Sequence, residues 1–180
     1  MSKIMLSSLM FLCLIPPVQA DLYYEAAIES GGETFASTSD GNDLNIAGGV
    51  KLAIGVQSYL NEFNDDSVSI SVGYLFDSLS ASNGEAEFDT MTFDALYHNA
   101  YGRHRFSIGM TYHLDPVYKD YITGEAVTID FNSALGSTFQ YSQKLSALTS
   151  LGIRFTKMDY EINGLKVDAD SLGIFISNEF

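Results

Sequence analysis

The sequence predicts an all-β chain, an eight-stranded antiparallel up-and-down transmembrane β-barrel. Three observations predict it. The first is the stretch Leu44 to Val56, LNIAGGVKLAIGV, in which Leu44, Ile46, Val50, Leu52, Ile54 and Val56, with Gly48 the one gap, alternate with Asn45, Ala47, Gly49, Lys51, Ala53 and Gly55. Strict period 2 is a strand with one apolar and one small or polar face. Its thirteen residues exceed the usual strand of about 5–6, and they satisfy the roughly 9–11 that a tilted membrane strand needs. The second is that similar alternation recurs eight times between turn-rich stretches. The third is that no apolar run of about 18 residues follows Ala20, which excludes a helical span.

The first twenty residues read as a cleaved signal peptide, leaving 21–180 as one barrel domain. Lys3 is a positive n-region, Ile4 to Ile15 an apolar h-region, and Val18-Gln19-Ala20 an A-x-A-like cleavage site after Pro16-Pro17. Cys13, the one cysteine, lies inside this segment. Residues 21–180 therefore offer no disulfide, thiol nucleophile or Cys metal ligand. Of nine Lys and Arg, Lys3 falls in the leader; the others face 23 Asp and Glu. Such a chain repels nucleic acid, and none is expected as a partner.

The strands follow in order. The first, Leu22 to Ser30, sets Leu22, Tyr24, Ala26 and Ile28 against Tyr23, Glu25, Ala27 and Glu29. Gly31 to Asp43 has the Gly, Ser, Thr and Asp content of a surface loop. The second strand is the stretch above, and Asn61 to Asp66 turns the chain. The third, Ser67 to Asp77, alternates Val68, Ile70, Val72, Tyr74 and Phe76 with Ser69, Ser71, Gly73 and Leu75. Ser78 to Glu87 reads as a loop around Asn83-Gly84. The fourth, Phe88 to Asn99, opposes Met91, Phe93, Ala95 and Tyr97 to Thr90, Thr92, Asp94, Leu96 and His98.

After a tight connection through Gly102, the fifth strand runs His104 to Leu114, and Asp115-Pro116 opens a long loop. The sixth, Ala126 to Tyr141, puts Val127, Ile129, Phe131, Leu135 and Phe139 on one face and Asp130, Gly136, Thr138 and Gln140 on the other. The seventh is Ala147 to Ile162, and Asn163-Gly164 is a hairpin signal. The eighth, Val167 to Phe180, carries Leu172, Ile174, Ile176 and Phe180 on its apolar face. Hairpin-length connections make the order up-and-down.

A soluble barrel would turn the apolar face inward and a charged face to water; a membrane barrel does the reverse. The second face here is mostly Gly, Ala, Ser, Thr and Asn, poorer in charge than a water-facing surface and suited to a narrow lumen. Aromatics fall near strand ends, with Tyr24, Tyr59, Tyr97, Phe106, Phe139 and Phe180 expected at one rim and Tyr74, Phe76 and Tyr112 at the other. By parity a luminal charge network is expected from Glu25, Lys51, Asp94, Arg105, Asp130, Arg154 and Glu179, with Lys51 and Arg154 pairing with Glu25 and Asp94.

The ending, Leu172-Gly173-Ile174-Phe175-Ile176-Ser177-Asn178-Glu179-Phe180, resembles the C-terminal signature of Gram-negative outer-membrane proteins. Asn178 departs from the usual apolar residue at its position. The chain from residue 21 resembles the small OmpA/OmpX-type barrels, and Gly109 to Pro116 is similar to a stretch of the uncharacterised outer membrane protein beta-barrel domain family. This resemblance implies an outer-membrane location and a monomeric barrel in contact with lipid and lipopolysaccharide. It also implies an assembly signal, Leu172, Gly173, Ile174, Ile176 and Phe180, read by the barrel assembly machinery.

No catalytic residue, cofactor or metal site is expected, and the chain is read as a surface-interaction scaffold, not an enzyme. The alternatives are a lipid-A-modifying enzyme and a narrow, porin-like conduit. Lipid A deacylases of this shape use a His-x-Ser pair, which His98, His104 and His113 do not form. Palmitoyltransferases use a His with an adjacent Asp-Ser; Asp77-Ser78 stands at the top of the third strand, and His113 could approach it only by folding across the barrel. The acidic loop residues Asp40, Asp43, Glu85, Glu87 and Asp89 leave loose Ca²⁺ binding open.

Overall fold

In a computed structural model, the structure describes residues 20–37, 42–60, 65–81, 84–121 and 126–180. The expected signal segment, apart from Ala20, lies outside the described residues, as do Asp40 and Asn83.

Eight strands form the wall: β1 (Ala20–Gly31), β4 (Gly49–Tyr59), β5 (Asp66–Ala81), β6 (Gly84–Tyr101), β7 (His104–Asp120), β9 (Ala134–Lys144), β10 (Thr149–Lys157) and β13 (Ser171–Glu179). Each pairs antiparallel with its neighbours, and β6 joins β7 to close the ring. Directly opposed residues can be followed once round the wall through Ala20, Ser58, Val68, Tyr97, Ile108, Phe139, Phe155 and Leu172. The path returns to β1 at Ser30, ten residues from its start. That stagger tilts the strands and leaves an interior only wide enough for side chains.

The apolar faces point outward. Leu52, at mid-wall, is 54% exposed, whereas the next residue, Ala53, is 8% exposed. Exposed Ile28, Ile54, Ile70, Phe93, Ile108, Leu135, Ile153 and Ile174 continue the belt round the barrel. Water would make such a surface costly, and a bilayer makes it the favoured one. The fold is the expected eight-stranded antiparallel transmembrane barrel.

Five short strands lie at the end opposite the termini, called distal here: β2 (Thr34–Ser37), β3 (Asp43–Asn45), β8 (Val127–Asp130), β11 (Asp159–Ile162) and β12 (Leu165–Asp168). They correct several expectations. Leu44 and Ile46 are fully buried instead of facing lipid. The alternating stretch breaks at Ala47 to Gly49, where Ala47 has φ 68° and Gly49 φ 115°. A Cβ on Gly49 would lie 2.2 Å from the Phe76 carbonyl oxygen, so this turn needs glycine. The loop read at 31–43 instead contains β2 and the first residue of β3, which pairs with β2.

Ser78 to Ala81 and Gly84 to Glu87 are strand, and β7 continues past Asp115-Pro116 to Asp120. Asp115 takes φ 44° there, and the β6–β7 register shifts between Asp89 and Met91, a bulge that lets the ladder absorb the proline. The sixth strand divides at 131–133 into β8 and β9. The seventh and eighth shed the β11–β12 hairpin. Tyr59, expected on the outer rim, sits on the luminal parity of β4 and donates to Glu179 Oε2 at 3.2 Å.

Candidate functional site: the barrel lumen and its distal cap

Inward-facing residues place five charged side chains together. Lys51 Nζ lies 2.8 Å from Asp94 Oδ2, which also accepts from Ser71 Oγ at 3.2 Å. Arg154 Nη2 lies 2.7 Å from Glu25 Oε1 and 3.7 Å from Asp94 Oδ2, and Nη1 lies 3.5 Å from Glu29 Oε1. Ser171 Oγ donates to Glu29 Oε2 at 2.9 Å. With its amide oxygen turned toward Arg154, Gln140 accepts from Nη2 and Nε at 2.5 and 2.7 Å. The Arg154 guanidinium stands 5.9 Å from the centre of the Phe175 ring. These pairs join strands that are not neighbours: β4 to β6, and β10 to β1 and β6.

A second group closes the end carrying the termini. Arg105 Nη1 lies 2.5 Å from Glu179 Oε1 and donates to Gln57 Oε1 at 3.3 Å. His98 is held between Ser69 Oγ and Ser107 Oγ at 2.7 and 2.6 Å. Between the two groups is a void of about 20 Å³ bordered by Glu25, His98, Arg105, Gln140 and Glu179. That is room for about one water molecule.

Of the residues expected in the network, Glu25, Lys51, Asp94, Arg105, Arg154 and Glu179 are buried in the lumen. Asp130 is not: it is exposed on β8, which pairs with the extramural part of β7. The break at 131–133 ends strand parity, so counting across it misplaced Asp130. Glu29, four residues from Glu25 on the same luminal face of β1, joins the network through Arg154 and Ser171.

The distal mouth is filled by an apolar core. Ala36, Leu44, Ile46 and Ala47 from the first hairpin region meet Tyr160, Val167 and Ala169 around the second. The same cluster includes Leu75, Leu79, Ala86, Phe88, Tyr118 and Phe131. Tyr160 is fully buried, its ring 6.0 Å from Phe88 and 5.5 Å from Phe131. Burial pushes its phenol up, and the neutral hydroxyl bonds His113 Nδ1 at 2.6 Å. The cap thus meets the polar lumen at the Tyr160–His113 hydrogen bond. Leu75 on the otherwise polar face of the third strand was the sequence signal for it.

Asp77 and Ser78 bond locally, Ser78 N donating to Asp77 Oδ1 at 2.8 Å, while His113 is committed to Tyr160. Among the described residues, no group of three or more His, Cys, Asp or Glu could hold a metal ion. The C-terminal strand presents Leu172, Ile174, Ile176 and Phe180 outward, with Gly173 on the luminal side. Asn178 is tied on both sides: its Nδ2 donates to Tyr24 OH, and its Oδ1 accepts from Thr149 Oγ1, both at 2.6 Å.

Closed ring, stagger, apolar belt and packed polar lumen together define a small eight-stranded transmembrane β-barrel. The chain is similar in fold to Ail, the attachment invasion locus protein of Yersinia pestis, solved in complex with the heparin analogue sucrose octasulfate. That similarity has a TM-score of 0.55 at 12% identity, over 89% of this chain and 97% of that one. It is similar likewise to Neisserial surface protein A, with a TM-score of 0.54 at 13% identity, over 89% and 97% of the two chains. At such identities the likeness is one of fold. No protein-family model and no curated protein matches the sequence.

Proposed function

We propose that this chain is a monomeric integral outer-membrane protein of a Gram-negative bacterium, exported by a signal peptide over residues 1–20. Its barrel is a scaffold, and its acidic distal surface makes the contacts with molecules outside the cell. The observation that carries the reading is the sealed interior: cross-lumen ion pairs fill the middle, and the apolar cap closes the distal mouth. A barrel so filled leaves its exposed distal strands and turns as the working surface. Those carry exposed Glu33, Asp43, Glu85, Asp130, Asp159, Glu161 and Asp168.

The lipid partners are outer-membrane phospholipid and lipopolysaccharide, and the barrel assembly machinery reads Leu172, Gly173, Ile174, Ile176 and Phe180. The reading assigns no catalysis. It is tested by fractionation: the chain stays with outer membranes after carbonate washing and migrates differently on a gel before and after heating. Release into the soluble periplasm overturns it. Lipid A of unchanged mass with and without expression is the result expected of a scaffold, and a changed acyl pattern replaces the scaffold with an enzyme.

A further inference from the structure

Polar groups inside the lumen differ in how freely they find partners. Among the buried polar atoms that no neighbour bonds are the hydroxyls of Thr92, Thr111 and Thr138. A threonine hydroxyl turns about one bond and can reach a nearby acceptor. Gln57 Nε2 and Arg105 Nε are also without a hydrogen-bond partner, and neither has that freedom. Arg105 Nη1 is held by Glu179 Oε1 at 2.5 Å and donates to Gln57 Oε1 at 3.3 Å. Those contacts orient both planar groups and leave the two remaining donors to be satisfied elsewhere. Gln57 and Arg105 are 2% and 8% exposed, too deep for bulk water to serve them, and buried donors of this kind are almost always bonded.

Both residues border the void of about 20 Å³ between the two luminal groups, and Glu25 borders it too. Glu25 Oε1 stands 2.7 Å from Arg154 Nη2 as an ion pair, but the contact is out of line for a hydrogen bond, and the oxygen accepts none. Two fixed donors and one acceptor therefore surround a space that admits about one water molecule. Charge narrows the choice of occupant. Arg105 is answered by Glu179, and Glu25 by Arg154. An added cation would meet the two guanidinium groups, and an added anion the two carboxylates. Burying either without a partner of its own is costly. What fits is a small neutral molecule that both accepts and donates.

We infer that this void is a binding site for one ordered water molecule, which accepts from Gln57 Nε2 and Arg105 Nε and donates to Glu25 Oε1. About three hydrogen bonds are the usual complement of a buried water. Among the described residues, no ion pair within 4.0 Å joins Arg105 and Glu179 to the group around Arg154. The water makes that link. With it, the polar lumen is one network from Lys51 at mid-wall to Glu179 at the terminal end, held by direct pairs at each end and by a bridge between them. The site goes beyond the scaffold reading and depends on the lumen alone, whichever membrane holds the barrel.

The test uses the full chain, folded in a non-ionic detergent and crystallised from a bromide salt. Wild type should show one water about 2.7–3.2 Å from Gln57 Nε2, Arg105 Nε and Glu25 Oε1, with no anomalous bromide signal there. In solution the Arg105 Nε proton should give a rotating-frame Overhauser cross-peak to water, whose sign separates contact from proton exchange. Ser177→Val is the comparison. Ser177 borders the void, so the larger side chain fills it while Gln57, Arg105 and Glu25 stay, and the cross-peak should disappear. Ser142→Val, which enters the same void from β9, replaces it should Ser177→Val fail to show the heat-dependent gel mobility of a folded barrel. An empty void in wild type, a bromide peak within it, or a cross-peak that survives in a folded, filled variant overturns the site.

Discussion

Lys51→Met is the most informative perturbation of the lumen. Lys51 and Asp94 approach to 2.8 Å with side chains 3% and 2% exposed. At an effective dielectric of about 20 their attraction is about 6 kcal/mol, most of it offset by the desolvation of both groups. Removing only the lysine leaves Asp94, Glu25 and Glu29 facing Arg154 alone. The expected loss is about 3–5 kcal/mol of unfolding free energy. Asp94→Asn on top of Lys51→Met removes the stranded charge and should recover about 2 kcal/mol, the coupling of contacting residues. Glu25→Gln on the same background should recover less, because Glu25 belongs to Arg154. The chain has no tryptophan, so urea unfolding in lipid vesicles is followed by far-ultraviolet circular dichroism and by gel mobility. A double variant that loses the plain sum of its two single losses refutes the reasoning. So would intact stability with raised single-channel conductance, which would mean that the pair gates a pore.

Other perturbations read other parts of the barrel. Leu52→Arg places a charge in the lipid belt and should cost about 2–4 kcal/mol, whereas Ala53→Ser, one residue on and inside, should cost under about 1 kcal/mol; equal costs in urea unfolding would mean the faces are reversed. Phe88→Ala hollows the distal core and should cost about 3–5 kcal/mol, with faster proteolysis of the β2–β3 and β11–β12 hairpins as the second readout. Tyr160→Phe keeps the packing and loses the bond to His113, for about 1 kcal/mol, measured in the same unfolding assay. Gly49→Val forces a β-branched side chain into positive φ against the Phe76 carbonyl and should abolish the heat-dependent mobility shift of the folded barrel.

The wall was legible in the sequence because each strand's two faces meet different solvents. Lipid on one side and a narrow polar lumen on the other write an alternation that survives without any knowledge of neighbours, as Val50 to Val56 shows. Parity alone also put Glu25, Lys51, Asp94, Arg105, Arg154 and Glu179 inside. It failed where a strand bends or breaks. Asp130 lies beyond such a break, and Leu44 and Ile46 lie before one, at the Ala47–Gly49 turn. Their period-2 pattern runs on into Val50 with Gly48 as its one gap, yet its apolar side faces protein instead of lipid. Burial in a core and exposure to lipid select the same residue types, so hydrophobicity cannot distinguish them.

By itself, then, the sequence determined the class of fold, the number of wall strands and, for most wall residues, which face the membrane and which face the lumen. All of these are local consequences of alternation. Only the tertiary structure decided which luminal charges meet, because a pair such as Arg105 and Glu179 is set by the ten-residue stagger and the closure of β6 on β7, not by spacing along the chain. It likewise decided that two hairpins fold over the distal mouth as an apolar cap. Those contacts join residues tens of positions apart, and the physical reason is that closing a barrel brings together strands whose sequences carry no mark of one another.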